Sequence, residues 1–176
     1  MKIAIIGKMC SGKSTLAGII ENYDSGYRTF SFGDNVKKYA KELFNMKGKD
    51  RSLLISFANK MREIDPGVWI RPVIEESRLF DRCIIDDVRY QDELDALVRD
   101  NWIIIKLSIS NELQEKRITL TYPKNYQDHL DNRDHYSENV VFQFTPGYPH
   151  LSIVVDEHDT ESMRDLIISF LERNIF

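Results

Sequence analysis

The sequence has little of several features that mark specialised protein classes. Only two cysteines occur among 176 residues, Cys10 and Cys83, and their spacing suits neither a disulfide framework nor a zinc site. Eight glycines and five prolines exclude collagen-like and low-complexity chains. No apolar run approaches the roughly 18 residues that a membrane helix needs. These absences predict an ordinary globular protein in a reducing compartment, and we expect a cytoplasmic location.

The chain also lacks an excess of positive charge. It has 24 Lys and Arg against 28 Asp and Glu, which gives a net charge of −4. Proteins that coat nucleic acids or membrane surfaces present broad basic faces. We therefore expect no nucleic-acid partner and no membrane partner, and any bound anion must be held by a few local groups. The length predicts a single domain over residues 1–176.

Short apolar runs alternate with segments of helical periodicity. The runs at 3–6, 83–85, 103–105 and 153–155 predict strands, and residues 27–32 predict a weaker one. Apolar residues at helical spacing lie at 36–44 and 163–171. Strands that are apolar on both sides and separated by helices form a parallel sheet that is covered on both faces. The predicted fold class is α/β, with a doubly wound parallel sheet.

Two segments interrupt this alternation. Residues 34–80 predict consecutive helices at about 34–45, 51–63 and 67–80, which form a helical insert between the second and third strands. Residues 122–136 are polar, charged and aromatic without a period, which predicts a mobile surface segment.

Directly after the first predicted strand comes GKMCSGKS, residues 7–14, which matches the pattern G-x-x-x-x-G-K-[ST] and is here called the phosphate loop. Glycines let backbone N–H groups face a phosphate, a lysine adds a cation, and a hydroxyl can bind Mg²⁺. We expect ATP and Mg²⁺ as cofactors, Lys13 as a catalytic group and Ser14 as a metal ligand. The predicted cofactor-binding residues are Gly7, Lys8, Cys10, Ser11, Gly12, Lys13, Ser14 and Thr15.

Cys10 allows two interpretations, a reactive thiol at a helix N-terminus or a small variable position in the loop. A disulfide between Cys10 and Cys83 is not expected, because Cys83 begins its strand whereas the phosphate loop lies beyond the strand ends.

The segment RCIIDDVR, residues 82–89, is an apolar strand that ends in two carboxylates. This pattern places an acid beside the serine of the phosphate loop, where it holds Mg²⁺ or its water. One of Asp86 and Asp87 should do so, and turn formation or helix capping is the alternative. We assign Asp86 to the metal and the substrate and Asp87 to the catalytic groups, and which one lies nearer to the metal stays open.

Several classes of phosphate-loop protein are excluded by missing motifs. A GTPase needs D-x-x-G, which is absent, and N-K-x-D, whereas the sequence continues from Asn59-Lys60 to Met61-Arg62. A long ATPase motor needs a longer chain. A small kinase that phosphorylates a small acceptor is the class that remains.

Three further segments closely resemble the deoxynucleoside monophosphate kinases that bacteriophages carry. They are FSFGDNVKK at 30–38, MREIDPGVWI at 61–70 and DDVRYQDE at 86–93, and HYSE at 135–138 matches as well. The similarity spans most of the chain, and the order of the motifs after a phosphate loop makes it specific. The resemblance implies a P-loop kinase fold with a five-stranded parallel sheet, an acceptor-binding helical insert at about 34–80, and a lid at about 117–136. For a viral protein, the cytoplasm would be that of the host.

The resemblance also implies ATP- and Mg²⁺-dependent phosphoryl transfer to a (deoxy)nucleoside monophosphate, which gives the diphosphate. Arg62 and Arg89 would hold the acceptor phosphate, which suits a planar guanidinium that binds phosphate bidentately. Asp34 and Lys37 can equally be a capping aspartate and a solvated lysine, and Trp69 can equally be core. The implied substrate-binding residues are Asp34, Lys37, Arg62, Trp69, Asp86 and Arg89.

In the lid, Arg117 and Arg133 are the candidates for neutralising charge on the transferred group, and both are assigned as catalytic. Lys116 and Lys124 are reserves. The segment departs from the compact multi-arginine lids of typical nucleoside monophosphate kinases because aspartates at 128, 131 and 134 are interspersed. Which arginine is catalytic therefore stays open.

Alternative acceptors fit the same motifs. A phosphomevalonate kinase also transfers to a phosphate, whereas a dephospho-coenzyme A or shikimate-type kinase would use Asp34 to deprotonate a hydroxyl. A nucleotide-binding protein without catalytic activity is a third possibility. The sequence leaves open the base, the sugar and the oligomeric state, with a homodimer as the alternative to a monomer.

Overall fold

A computed structural model describes residues 1–48, 50–124, 126–131, 140–144, 146–148, 150–156 and 160–173. Within these residues the chain forms five strands and eight helices. The strands are β1 (Lys2–Ile6), β2 (Arg28–Phe30), β3 (Cys83–Val88), β4 (Ile103–Ile109) and β5 (His150–Val155). The helices are α1 (Lys13–Tyr23), α2 (Phe32–Phe44), α3 (Arg51–Ile64), α4 (Ile70–Ser77), α5 (Gln91–Arg99), α6 (Asn111–Thr121), α7 (Tyr126–Asp131) and α8 (Thr160–Arg173).

The strands form one sheet in the order β2-β3-β1-β4-β5, and every pairing is parallel. The phosphate loop therefore leaves the central strand, between β3 on one side and β4 on the other. Because all strands point the same way, the segments that follow them meet at one edge of the sheet. The predicted α/β fold class and parallel sheet are confirmed.

Alternate residues of the strands pack into two apolar cores, one on each face of the sheet. Ala4 and Ile6 face a core that includes Leu94 of α5. Ile3 and Ile5 face the other core, which α1 and α8 cover. This arrangement explains why β1 is apolar from Ile3 to Ile6, since a strand covered on both faces has no solvent side.

One irregularity interrupts the ladder between β1 and β3. Ala4 lies opposite Ile85 and Ile6 lies opposite Val88, so two steps along β1 match three steps along β3. The extra residue falls at the Asp86-Asp87 pair, which the strand carries at its carboxyl end. A bulge of this kind re-aims side chains locally.

The helical insert contains α2, α3 and α4, close to the predicted spans. Asp50 caps the N-terminus of α3, since its side chain accepts the N–H of Leu53 at 2.9 Å. The third helix is shorter than predicted, since Asp65 accepts the Gly67 N–H at 2.9 Å and holds a turn before α4 begins at Ile70.

The aperiodic segment at 122–136 is only partly irregular. The prediction is wrong for Tyr126–Asp131, which form α7. Six residues make fewer than two turns, too few for a periodic pattern to appear in the sequence. The rest of the segment from residue 132 lies outside the described residues. Among the helices of the described ranges, none is long and apolar enough to cross a membrane.

Candidate functional site

The phosphate loop has a backbone that only some residues can adopt. A Cβ at Gly7 would lie 2.6 Å from the Ser11 Oγ and 2.8 Å from the Leu107 carbonyl oxygen, so this position requires glycine. Gly12 has a φ of 97° and Cys10 a φ of 60°, both in the left-handed region. The Ser11 side chain is fully buried beneath the loop. The loop thus forms the tight cradle at the start of α1 that a phosphate needs.

Lys13, the first residue of α1, folds back across the phosphate loop. Its Nζ donates hydrogen bonds to the carbonyl oxygens of Gly7 and Lys8, each at 2.8 Å. The ammonium group is therefore held at the loop by backbone oxygens, in the place where the sequence predicted a phosphate-binding cation.

Ser14 and Asp86 meet across the sheet edge. The Ser14 Oγ donates a hydrogen bond to the Asp86 Oδ2 at 3.0 Å, because β3 lies next to β1 and carries Asp86 at its end. A hydroxyl and a carboxylate are hard oxygen ligands, and Mg²⁺ commonly takes only one or two protein ligands beside phosphate and water. The pair therefore fits Mg²⁺, and the structure places Asp86 beside the serine.

Asp87 faces a different element. Its carboxylate accepts hydrogen bonds from the Ser31 Oγ at 2.6 Å, the Phe32 N–H at 3.0 Å and the Gly33 N–H at 2.9 Å. These groups lie at the N-terminus of α2, where a carboxylate satisfies unpaired N–H groups. The capping alternative is thus the observed arrangement for Asp87, and its assignment as a catalytic group stays a prediction.

A cavity of about 730 Å³ opens beside the phosphate loop, a size in the range of small-ligand sites. It extends from the loop between α6, the end of β5 and the start of α8, and six of the predicted cofactor-binding residues line it. Gly7 and Lys8, the other two, line a second cavity of about 340 Å³ on the far side of the loop.

Arg117 lies at the loop side of the larger cavity. Its guanidinium donates to the carbonyl oxygen of Cys10 at 3.4 Å and to that of Asp156 at 3.3 Å. Of the two arginines predicted in the lid, Arg117 is thus placed against the phosphate loop. Arg133 lies outside the described residues, as does the HYSE segment. The reserves Lys116 and Lys124 are exposed.

On the other side of the loop, Arg62 of α3 reaches the turn that follows β3. Its NH2 group lies 3.3 Å from the Glu93 Oε1, and its guanidinium lies 4.1 Å from the centre of the Tyr90 ring. Glu93 also accepts the Arg89 N–H at 2.7 Å. We call Arg62, Arg89, Tyr90 and Glu93 the acceptor cluster; in it the side chain of Arg62 meets the turn whose backbone includes Arg89, and these are the two arginines that the sequence predicted for an acceptor phosphate.

The sequence singled out neither Tyr90 nor Glu93 of the acceptor cluster, and Glu93 is the charged one of the two. It is 2% exposed, and burial raises the pKa of its carboxyl to about 7, against the lowering effect of the Arg89 N–H and of Arg62. A glutamate at the third position of a helix can bond back to the residue before the helix, and this one accepts the Tyr90 N–H at 3.1 Å. That spacing was the available signal, but the position before the helix holds tyrosine rather than serine or threonine.

Three other predicted substrate residues have different placements. Asp34 and Lys37 form an exposed ion pair at 2.8 Å on the first turns of α2. Trp69 is 2% exposed, and its indole N–H donates to the Ala58 carbonyl oxygen at 3.1 Å. The core interpretation of Trp69 is therefore the one that this geometry favours, because its ring packs against Phe57.

Neither cysteine forms a disulfide, as expected. Cys83 is buried at the start of β3 and its thiol donates to the Ser77 carbonyl oxygen at 3.3 Å. Cys10 is half-buried in the phosphate loop.

Solved structures of low sequence identity share this fold. A gluconokinase from Sinorhizobium meliloti 1021 has a TM-score of 0.53 at 14% identity, over 99% of this chain and 97% of that one. A deoxyadenosine kinase from M. mycoides with the products dCMP and a flexible dCDP bound has a TM-score of 0.53 at 20% identity, over 98% and 100%. TT1252 from Thermus thermophilus has a TM-score of 0.58 at 15% identity, over 98% and 97%.

Identities of this size show the fold alone. The comparison with curated proteins gave no match. The AAA domain family matches residues 3–134, well over half of the chain, and this range contains the phosphate loop, the helical insert and the acceptor cluster. With its all-parallel sheet and its phosphate loop after the central strand, the chain has the fold of P-loop kinases and belongs to the AAA domain family.

Proposed function

We propose that the protein transfers the γ-phosphoryl group of ATP, with Mg²⁺, to a (deoxy)nucleoside monophosphate. The observation that carries this proposal is the acceptor cluster, in which Arg62 from α3 meets the turn that holds Arg89. On the β3 side of the phosphate loop, Arg62 and Arg89 would bind a phosphate acceptor. On the β5 side, the cavity of about 730 Å³ would bind the nucleotide donor. Residues 34–80 would bind the acceptor and residues 117–136 would form the lid.

On the donor side, the phosphate loop and Lys13 would bind the ATP phosphates. Ser14 and Asp86 would hold Mg²⁺, which neutralises phosphate charge and helps to align the reacting groups. Arg117 already contacts the Cys10 carbonyl at the loop, so a small movement of its guanidinium would reach the transferred group. The apolar part of the cavity, between β5 and α8, would take the adenosine.

On the acceptor side, Arg62 and Arg89 would bind the monophosphate. The second pKa of a phosphate monoester is about 6, so at neutral pH the acceptor is largely a dianion and attacks without a general base. A phosphate oxygen of the acceptor forms a bond to the γ-phosphorus, the bond to the oxygen bridging the β- and γ-phosphorus atoms breaks, and ADP leaves. The protein contributes positioning and charge neutralisation, the main requirements of this reaction.

Asp34 and Lys37 complete the proposed acceptor side. Both lie on the first turns of α2. Asp87, the residue that follows Asp86, accepts hydrogen bonds from the N-terminus of this helix. The deoxyadenosine kinase from M. mycoides has the products dCMP and dCDP bound, so a protein of this fold can bind deoxynucleotides.

The test is an ADP-release assay with ATP and Mg²⁺. The acceptors are the four deoxynucleoside monophosphates, the four ribonucleoside monophosphates, phosphomevalonate, dephospho-coenzyme A, shikimate and gluconate. We expect turnover with one or more nucleoside monophosphates, and the rates name the base and the sugar. Turnover with a hydroxyl compound alone would overturn the proposal and reassign Asp34 as a base.

A further inference from the structure

We propose that Glu93 is a positioning residue, whose buried carboxylate holds Arg62 at the turn after β3 so that the guanidinium meets the acceptor phosphate already oriented. This inference rests on the proposed function, because it deepens the account of the acceptor site. Glu93 itself would touch no substrate; it would act through Arg62.

The carboxylate of Glu93 joins two elements that are distant in sequence. The Oε2 accepts the N–H groups of Arg89 at 2.7 Å and Tyr90 at 3.1 Å, both in the turn between β3 and α5. The Oε1 lies 3.3 Å from the NH2 group of Arg62, which belongs to α3. One oxygen is therefore committed to the turn and the other to the arginine, so the carboxylate sets the distance between them.

Arg62 is held from three directions. Besides the bond to Glu93, its guanidinium stacks over the Tyr90 ring at 4.1 Å, and its NH1 lies 3.5 Å from the Asn59 Oδ1. The Arg62 side chain is only 19% exposed. A guanidinium carries five N–H donors in a rigid plane, so an arginine that donates hydrogen bonds to two side chains still offers donors to a phosphate.

Packing alone does not explain why a charged residue occupies the buried position of Glu93. A buried ion pair is weak evidence of stability, because apolar side chains of similar volume often serve as well. Here the pair lies at the end of β3, seven residues from the carboxylate that meets Ser14, and it orients one of the two arginines of the acceptor cluster. A long arginine ordered before binding loses less conformational entropy when the acceptor arrives.

The main test is Glu93→Gln, assayed at pH 8, above the pKa of about 7 of the Glu93 carboxyl; it keeps the size of the side chain and removes its charge. We expect the KM for the preferred monophosphate to rise about tenfold and the KM for ATP to stay within about twofold. Glu63→Gln is the matched control, since Glu63 is an exposed α3 residue paired with Lys60. It should leave both KM values unchanged.

A double-mutant cycle shows whether Glu93 acts through Arg62. Arg62→Ala alone should raise the acceptor KM by about 10- to 100-fold, and Glu93→Gln should add less than about twofold to it. Independent effects that multiply in the double variant would overturn the inference. So would an acceptor KM that Glu93→Gln leaves unchanged, or equal rises in both KM values.

Glu93→Asp covers the case in which the glutamine variant does not fold. It keeps the charge and shortens the reach to Arg62 by one methylene, so a rise of the acceptor KM alone supports the inference and an unchanged value overturns it. A wild-type protein that turns over no monophosphate overturns the proposed function and this inference together. Wild-type turnover with insensitive Glu93 variants overturns this inference alone.

Discussion

Lys13 places its ammonium group between the carbonyl oxygens of Gly7 and Lys8. A phosphate that enters the loop would replace these weak dipoles with full negative charge, so the lysine binds the charged group more strongly than it binds the loop. We expect Lys13→Ala to lower kcat by about 1000-fold or more, in line with the loss of one preorganised cation. Steady-state ADP release measures this.

The control for Lys13 is Lys41→Ala, an exposed lysine in the last turn of α2. It should keep full activity. A Lys13→Ala protein with the same melting temperature as the wild type and less than a tenfold loss of kcat would contradict the role of the lysine.

Glu93 gives the protein a predicted dependence of stability on pH. Four groups face its carboxyl: Arg62 from α3, Asp87 from β3, and Arg89 and Tyr90 from the turn. The pKa in the folded protein is about 7, above the ordinary value of 4.5, chiefly because of burial. Between these values the folded chain binds a proton that the unfolded chain has released, so the free energy of unfolding falls as the pH rises through this window.

The measurement compares the wild type with Glu93→Gln by chemical denaturation from pH 5 to pH 8. Relative to the variant, the wild type should lose about 1–3 kcal/mol of unfolding free energy over this range. A difference that does not change with pH, or one that favours the wild type as the pH rises, would show that the carboxyl is charged throughout.

At the scale of the secondary-structure elements, the pair Asp86-Asp87 divides two tasks between neighbouring side chains. Asp87 accepts three hydrogen bonds at the start of α2, whereas Asp86 meets Ser14. We expect Asp87→Asn to lower the free energy of unfolding by about 1–3 kcal/mol, because N–H groups of α2 lose a charged acceptor. The acceptor KM should rise severalfold while kcat stays within a few-fold.

Asp86→Asn is the matched comparison. It should lower kcat by about 100-fold with little change in stability, since it removes a ligand charge at an accessible site. The opposite pattern, with kcat lost in Asp87→Asn and stability unchanged, would assign Asp87 to the chemistry. Denaturation and steady-state kinetics on both variants decide between these outcomes.

The elements themselves were largely predictable, because period and burial determine them locally. The continuous apolar run of β1 and the helical stripe of α8 each identify an element without reference to the rest of the chain. The short helix α7 was missed because Tyr126–Asp131 make fewer than two turns. Its formation depends on packing that no local pattern records.

The residues of the candidate site also differ in how far the sequence predicts them. Lys13 and Ser14 belong to a contiguous motif, so the sequence predicts them directly. The division of labour between Asp86 and Asp87 depends on a bulge in the β1–β3 ladder, and the contact of Glu93 with Arg62 joins residues 31 positions apart. Such contacts follow from tertiary packing, so spacing alone gave the candidates and not their partners.

At the scale of the whole molecule, the strand order β2-β3-β1-β4-β5 would put the two proposed substrate sites on opposite sides of β1. The large cavity lies toward β5, and the acceptor cluster lies beyond β3. A bisubstrate analogue, in which five phosphates join adenosine to a second nucleoside, should therefore bind more tightly than either nucleotide alone. At 100 times its Kd, such a ligand adds about 2.7 kcal/mol of stability.

Thermal denaturation measures this, with Mg²⁺ present and with each mononucleotide tested separately. We expect the analogue to raise the melting temperature by several degrees, and Arg62→Ala to reduce that rise to the value for ATP alone. An analogue that stabilises the wild type no more than ATP does would mean that the two sites do not face one another.

The extra residue in β3 has a consequence for how this chain tolerates change. In a regular strand, successive side chains point to opposite faces of the sheet. Deleting one residue therefore moves every later side chain to the opposite face. Removing either Asp86 or Asp87 would restore an even ladder with β1 but leave one carboxylate for two duties. A point substitution here changes one carboxylate and leaves the contacts of the other in place. A single-codon deletion would remove the link between the phosphate loop and the helical insert in one step.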